Sequence, residues 1–225
     1  MFVDAICFSL SAGHATMGGT TMQDDPIQLI FSLAVLVFSI VAHEVSHGYM
    51  AQYLGDSTAR LAGRLTMNPV KHIDPMGSIV VPLATLIIPG SFVFGWAKPV
   101  PYNPYNLRDQ KWGDTKVALA GPLTNIAIAL IFGLLLRFGG PLLSSPVQSI
   151  MQTIVLTNII LAVFNLVPIP PLDGSKVLFN ALPLRYRYIG DYIERYSLVL
   201  ILFFAFFLWQ FFLPLIYSLY GLFVG

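Results

Sequence analysis

The sequence predicts an all-α polytopic membrane protein with four or five transmembrane helices and a re-entrant or β-hairpin element between the first and second full spans. Three observations carry this. Hydrophobic residues make up 56% of the 225 and charged residues 10%, at a mean hydropathy of +0.74. Soluble domains keep about 25% of their residues charged to stay hydrated, so much of this surface faces hydrocarbon. The apolar runs approach the roughly 20 residues that cross a bilayer as a helix, and they lack the apolar–polar alternation of barrel strands.

The elements follow in order. Asp24, Asp25 and Pro26 form a helix start, an acidic cap before a proline at the first helical position, and residues 27–54 then run largely apolar as the first span. Residues 77–94 form a second apolar run, interrupted by Pro82 and Pro89 and, at about 18 residues, at the lower limit for crossing. Residues 117–138, 147–167 and 197–223 are each long enough to span, the last with a kink expected at Pro214. Basic residues favour a re-entrant second run. The stretch 55–116 and the loop 168–195 then share one compartment, while the acidic amino terminus and the uncharged 139–145 turn face the other, with Arg137 as the exception.

Residues 1–26 are expected to be an amino-terminal segment retained in the chain, since Asp4 stands where a secretory signal carries basic residues. Residues 27–196 form the membrane-embedded core and 197–225 a carboxyl-terminal transmembrane helix. A net charge of +1 without a basic stripe excludes the nucleic-acid-binding class, and the single Cys7 excludes an intrachain disulfide.

The chemistry is concentrated in His43-Glu44-Val45-Ser46-His47, late in the first span. Histidines four apart on a helix share a face, roughly 6 Å apart at the backbone, so both imidazoles reach one metal ion. Glu44 lies beside the first ligand, where it can accept a proton from water and pass it to a leaving amine. Three ionisable groups within five residues are costly in a membrane helix, and a divalent cation compensates them better than helix packing does. A hydrolytic zinc site needs a third protein ligand. Glu194 lies in a polar stretch away from any span. Asp173 is the better candidate, in Asn165-Leu166-Val167-Pro168-Ile169-Pro170-Pro171-Leu172-Asp173-Gly174, where three prolines break the helix at the end of an apolar run. Capping of the helix that follows is the competing role for Asp173.

Taken together, these motifs resemble the site-2 protease family of intramembrane metalloproteases. His43 to His47 is similar to its metal motif, and Asn165 through Gly174 to its second motif, whose Leu-Asp-Gly aspartate is the third zinc ligand. Ala120-Gly121-Pro122-Leu123-Thr124-Asn125 is also similar to a family element. The resemblance implies one Zn2+ per chain held by His43, His47 and Asp173, with Glu44 catalytic, and a core of three helices with the metal near the cytoplasmic face of a prokaryotic cell membrane. Its substrates would be transmembrane proteins met within the lipid bilayer. Inserted PDZ or appended CBS domains of relatives find no room in 225 residues. Asn125 and Asn165 are expected either to contact substrate or its oxyanion, or to glue helices together. His72 either approaches the site or is a solvated loop residue. Residues 92–97, rich in β formers, are expected to offer an edge strand to an unwound substrate, or else to form a surface loop anchored by Trp96. The competing functions are a membrane metal-ion transporter and a non-catalytic scaffold of the same fold.

Overall fold

In the computed structural model, which describes residues 26–86, 95–183 and 187–225, four helices are long and apolar enough to cross a membrane. They are α1 (Pro26–Tyr53), α2 (Gly113–Gly139), α3 (Ser145–Asn165) and α6 (Ser197–Val224). Two shorter helices, α4 (Asp173–Ala181) and α5 (Arg187–Glu194), fill the connection between α3 and α6. The described residues contain no strand, so the all-α expectation holds for them. Residues 1–25 and 87–94 lie outside them, and with these go most of the amino-terminal segment, part of the proposed re-entrant run and the first half of the proposed edge strand.

Sequence patterning explains how the helices pack. Along α1 the residues Val35, Ser39, His43, His47 and Ala51 recur every fourth position and are all buried, one stripe turned to the interior. Exposed Leu29, Leu33, Val37 and Phe38 face the other way, as suits a lipid-facing surface. The main apolar core joins α2, α3 and α6: Ala129, Val155, Ile159 and Phe164 meet Ile201, Phe204, Trp209 and Ile216. Phe164 and Trp209 pack edge to face with centroids 5.6 Å apart.

Helix α2 begins four residues before the apolar run predicts, at the end of a polar turn that Asp109 orders. Asp109 Oδ1 accepts from the Trp112 N–H at 2.9 Å, and Asp109 pairs with Lys116. In α6 the expected kink takes a particular form: a wide turn at Phe204–Leu208 and a tight one at Trp209–Phe212 precede the helix that carries Pro214. Proline has no N–H for the carbonyl one turn back, so the ladder rearranges before it.

Cross-links sort the helix ends into two faces. At one, Gln28 approaches Thr153 at 3.5 Å, and Arg137 Nη1 donates to the Leu222 carbonyl at 3.1 Å. Arg137, the exception to the charge pattern, thus caps the last turn of α6, where a cation complements exposed carbonyls. At the other face the Arg108 N–H donates to the Leu54 carbonyl at 2.7 Å, so the chain leaves α1 and enters α2 side by side. Between them six residues of wide helix, Pro75–Val80, and six of α-helix, Val81–Leu86, start the second apolar run. The Trp96 N–H donates to the Gly77 carbonyl at 2.9 Å, which holds the two ends of that excursion together.

Candidate metal centre

The i, i+4 spacing on α1 delivers what the sequence predicts: the His43 and His47 rings lie with centroids 4.7 Å apart, both buried. Asp173 reaches them from 130 residues beyond His43. Its Oδ2 stands 3.1 Å from His43 Nε2 and 3.3 Å from His47 Nε2. One ligand atom from each of the three residues lies within 4.8 Å of the others, a group able to hold a metal ion. Asp173 is the first residue of α4 and makes no side-chain cap there; the N-cap is Leu172.

Local backbone accounts for this placement. After α3 the chain turns through Leu166–Leu172 on short-range hydrogen bonds, Ile169 N–H to Val167 O at 2.8 Å and Leu172 N–H to Ile169 O at 2.9 Å. The Pro170–Pro171 peptide in it is cis. Gly174 lies so close to the Leu166 and Val167 carbonyls that any Cβ there would collide with backbone, which explains the glycine after Asp173. Gly121 of α2 serves the histidines in the same way. A Cβ at that position would stand 2.5 Å from the Nε2 of both His43 and His47, so glycine is what lets the two imidazoles sit against α2.

Hydrogen bonds set the histidine tautomers. His47 Nδ1 meets the Val117 carbonyl at 2.7 Å; a carbonyl only accepts, so Nδ1 carries the proton and Nε2 keeps its lone pair for a metal. His43 Nδ1 lies 2.6 Å from Asn125 Oδ1. The Asn125 amide is oriented by its other end, where Nδ2 donates to Asn158 Oδ1 at 2.8 Å and to the Ser39 carbonyl at 3.3 Å. Asn158 in turn donates to Ser39 Oγ at 2.9 Å. His47 Nε2 and Asp173 Oδ1 are buried and make no hydrogen bond, and buried lone pairs left without a partner in one cluster are what a metal would satisfy. The residues present fit a metal ion.

Glu44 is wholly buried next to this cluster. Its Oε2 accepts from the Val100 N–H at 2.9 Å, while Oε1 has no hydrogen-bond partner. Helix α4 is braced against α2 by Lys176 Nζ on Tyr102 Oη at 2.8 Å, by the Tyr102 hydroxyl donating to Asp114, and by Asn180 Nδ2 on Thr115 Oγ1 at 2.7 Å. Burial and the charges of Asp114 and Asp173 push the Tyr102 phenol far up, so it remains a donor.

Of the remaining sequence candidates, Asn165 is buried and donates to the Leu161 carbonyl at 2.9 Å. His72 is buried rather than solvated: its Nε2 lies 2.9 Å from the Thr66 carbonyl, and it stands outside the metal group. Ser39, Val100 and Asn158 escaped the sequence reading. Asn158 had a signal, a polar amide in an apolar span, which in lipid needs a partner; Val100 had none.

A family model described as Peptidase family M50 matches residues 138–208, which include Asn165 and Asp173. The chain is 34% identical over 185 residues to YwhC of Bacillus subtilis, named as a candidate zinc metalloprotease, an alignment that covers 79% of this chain and 81% of the other. It is 33% identical over 156 residues to MJ0611 of Methanocaldococcus jannaschii, which has the same style of name, with 66% and 72% covered. To Rip2 of Mycolicibacterium smegmatis, likewise named, it is 31% identical over 150 residues, 66% of this chain and 56% of that relative. No solved structure matches the chain significantly.

Proposed function

The chain belongs to peptidase family M50, the site-2 protease family, and on that footing we propose that it is an intramembrane zinc metalloprotease that cuts transmembrane segments of membrane proteins. The observation that carries this is the buried meeting of His43, His47 and Asp173 within 4.8 Å beside a buried Glu44. His43 Nε2, His47 Nε2 and the Asp173 carboxylate would hold one zinc ion. Zinc, when bound, supplies a Lewis acid that polarises the scissile carbonyl and lowers the pKa of water.

The chain's own groups do the rest. Glu44 is anchored through Oε2 to the Val100 N–H, so Oε1 is the atom that takes the proton from the attacking water and returns it to the leaving amine. Asn125 reads as the brace of His43, since both Nδ2 hydrogens are already donated. Asn165, close to the turn that leads to Asp173, is the amide proposed to contact substrate backbone. Residues 27–196 act as the catalytic core and 197–225 as a further membrane helix that completes its packing. The site lies toward the ends of α1 and α2 that the Arg108–Leu54 hydrogen bond joins, and Arg60, Arg64, Lys98, Arg108 and Lys111 fall in the connection between those ends, which supports a cytoplasmic site.

Purified protein in detergent is expected to cleave a peptide bearing a transmembrane helix, to lose that activity with a zinc chelator and to regain it when zinc is restored. Zinc bound at one per chain without cleavage of any helical peptide would instead point to a transporter or a non-catalytic scaffold. Asn125→Ala is expected to weaken zinc binding by about 10- to 100-fold, the usual cost of removing a ligand's hydrogen-bond partner. Competition with a fluorescent chelator measures it, and unchanged affinity would remove Asn125 from the site.

A further inference from the structure

The contact between Val100 and Glu44 joins residues 56 apart in sequence, and the segment that makes it is held from both sides. Residues 98–101 read Lys-Pro-Val-Pro. Proline has no N–H, so Val100 supplies the only backbone donor among residues 99–101, and the flanking rings fix φ on either side of it. That donor meets Glu44 Oε2. The Val100 side chain is buried against α1 at Gly48, where a Cβ would stand 2.8 Å from Val100 Cγ1, so the glycine after His47 is what lets the segment come down onto the helix.

Arg64 clamps the near end. Its Nη2 donates to the Lys98 carbonyl at 2.7 Å and to the Pro99 carbonyl at 3.2 Å, the two carbonyls that precede Val100. The side chain is buried, at 7% exposure, an uncommon state for arginine. Burial lowers its pKa and the charge of Glu44 raises it again. The backbone is arranged to deliver it: Gly63, at φ +63°, ends the short helix Thr58–Leu61 in a left-handed turn, and the Arg64 N–H closes that turn on the Ala59 carbonyl at 3.0 Å. Asp56 clamps the far end. Wholly buried, it accepts from the Asn103 N–H at 2.8 Å and from Asn106 Nδ2 at 2.9 Å. The Lys98 N–H is itself donated to the His72 carbonyl at 2.8 Å, which gives buried His72 a bracing place in the same assembly.

We infer that Arg64 is a positioning residue for Glu44: by gripping the Lys98 and Pro99 carbonyls it aims the Val100 N–H at Oε2 and so turns Oε1 toward the reacting centre. This rests on Glu44 as the proton carrier. An arginine that only stabilised the loop would matter to folding and not to the geometry of one carboxylate.

The test follows exchange of the Val100 amide by NMR in micelles, together with zinc content, kcat and KM, for wild type, Arg64→Met and Arg64→Lys. In Arg64→Met the Val100 amide is expected to exchange at least about tenfold faster while α1 amides keep their protection. Its kcat should drop by about tenfold or more with zinc content and KM unchanged, since small misplacements of a reacting group are costly. Arg64→Lys should recover part of both. Should Arg64→Met fail to fold, Val100→Pro removes the N–H while keeping an apolar side chain of similar size at the buried position. It should lower kcat similarly, and adding Arg64→Lys should then cost nothing more, whereas additive losses would overturn the inference. Equal Val100 exchange in wild type and Arg64→Met, or faster exchange with kcat within twofold of wild type, would also overturn it. A wild type that cleaves nothing while Val100 shows the expected exchange pattern would overturn the protease reading and leave the clamp standing.

Discussion

Glu44→Gln is expected to lower peptide cleavage by about 10²- to 10⁴-fold, the usual contribution of a general base, while zinc stays at one per chain. Glutamine preserves the shape and one acceptor oxygen, so the Val100 N–H at 2.9 Å can still be received and the segment 98–101 stays in place. What disappears is the atom able to take a proton, the orphaned Oε1. The fold should not suffer, because an amide is less costly to bury than a carboxylate with one unpaired oxygen. Zinc analysis beside single-turnover cleavage of a helical peptide decides it. A variant that keeps its metal and cleaves within tenfold of wild type would take Glu44 out of the proton path.

Asp173→Ala is expected to lose both metal and activity, with zinc affinity down by on the order of a hundredfold or more, since two histidines alone make a weak and incomplete site. The companion Asp173→Asn separates the two roles that the sequence leaves open. Asparagine caps a helix as well as aspartate does but is a poor ligand for zinc. Loss of zinc in both variants marks Asp173 as a ligand, in keeping with its Oδ2 at 3.1 and 3.3 Å from the two imidazoles and with the lack of any side-chain cap on α4. Zinc retained by Asp173→Asn at wild-type affinity would return Asp173 to a structural role. Equilibrium dialysis against buffered zinc gives the comparison directly.

Much of this protein was legible in one dimension because the relevant physics is local. Composition and run length assign α1, α2, α3 and α6 to the membrane, since lipid demands that each span satisfy its own backbone. The spacing of His43 and His47 places two imidazoles on one face, because a helix turns about 100° per residue wherever it is put. Gly174 and the prolines before it mark a turn for the same kind of reason.

What local rules do not contain is which distant atoms meet. Asp173 lies 130 residues from His43, and its sequence context fits a helix cap as well as a ligand. Asn125 looked as suited to an oxyanion as to a neighbour until its three hydrogen bonds were accounted for. Val100 and Arg64 belong to no motif at all, because an N–H is common to nearly every residue and a loop arginine resembles any other. Periodicity, composition and turn chemistry settled the class of fold and the helix face that carries His43 and His47. The tertiary structure alone decided the third group beside the histidines, the tautomer each imidazole keeps and the backbone donor on Glu44, because these depend on packing between segments that sequence distance does not measure.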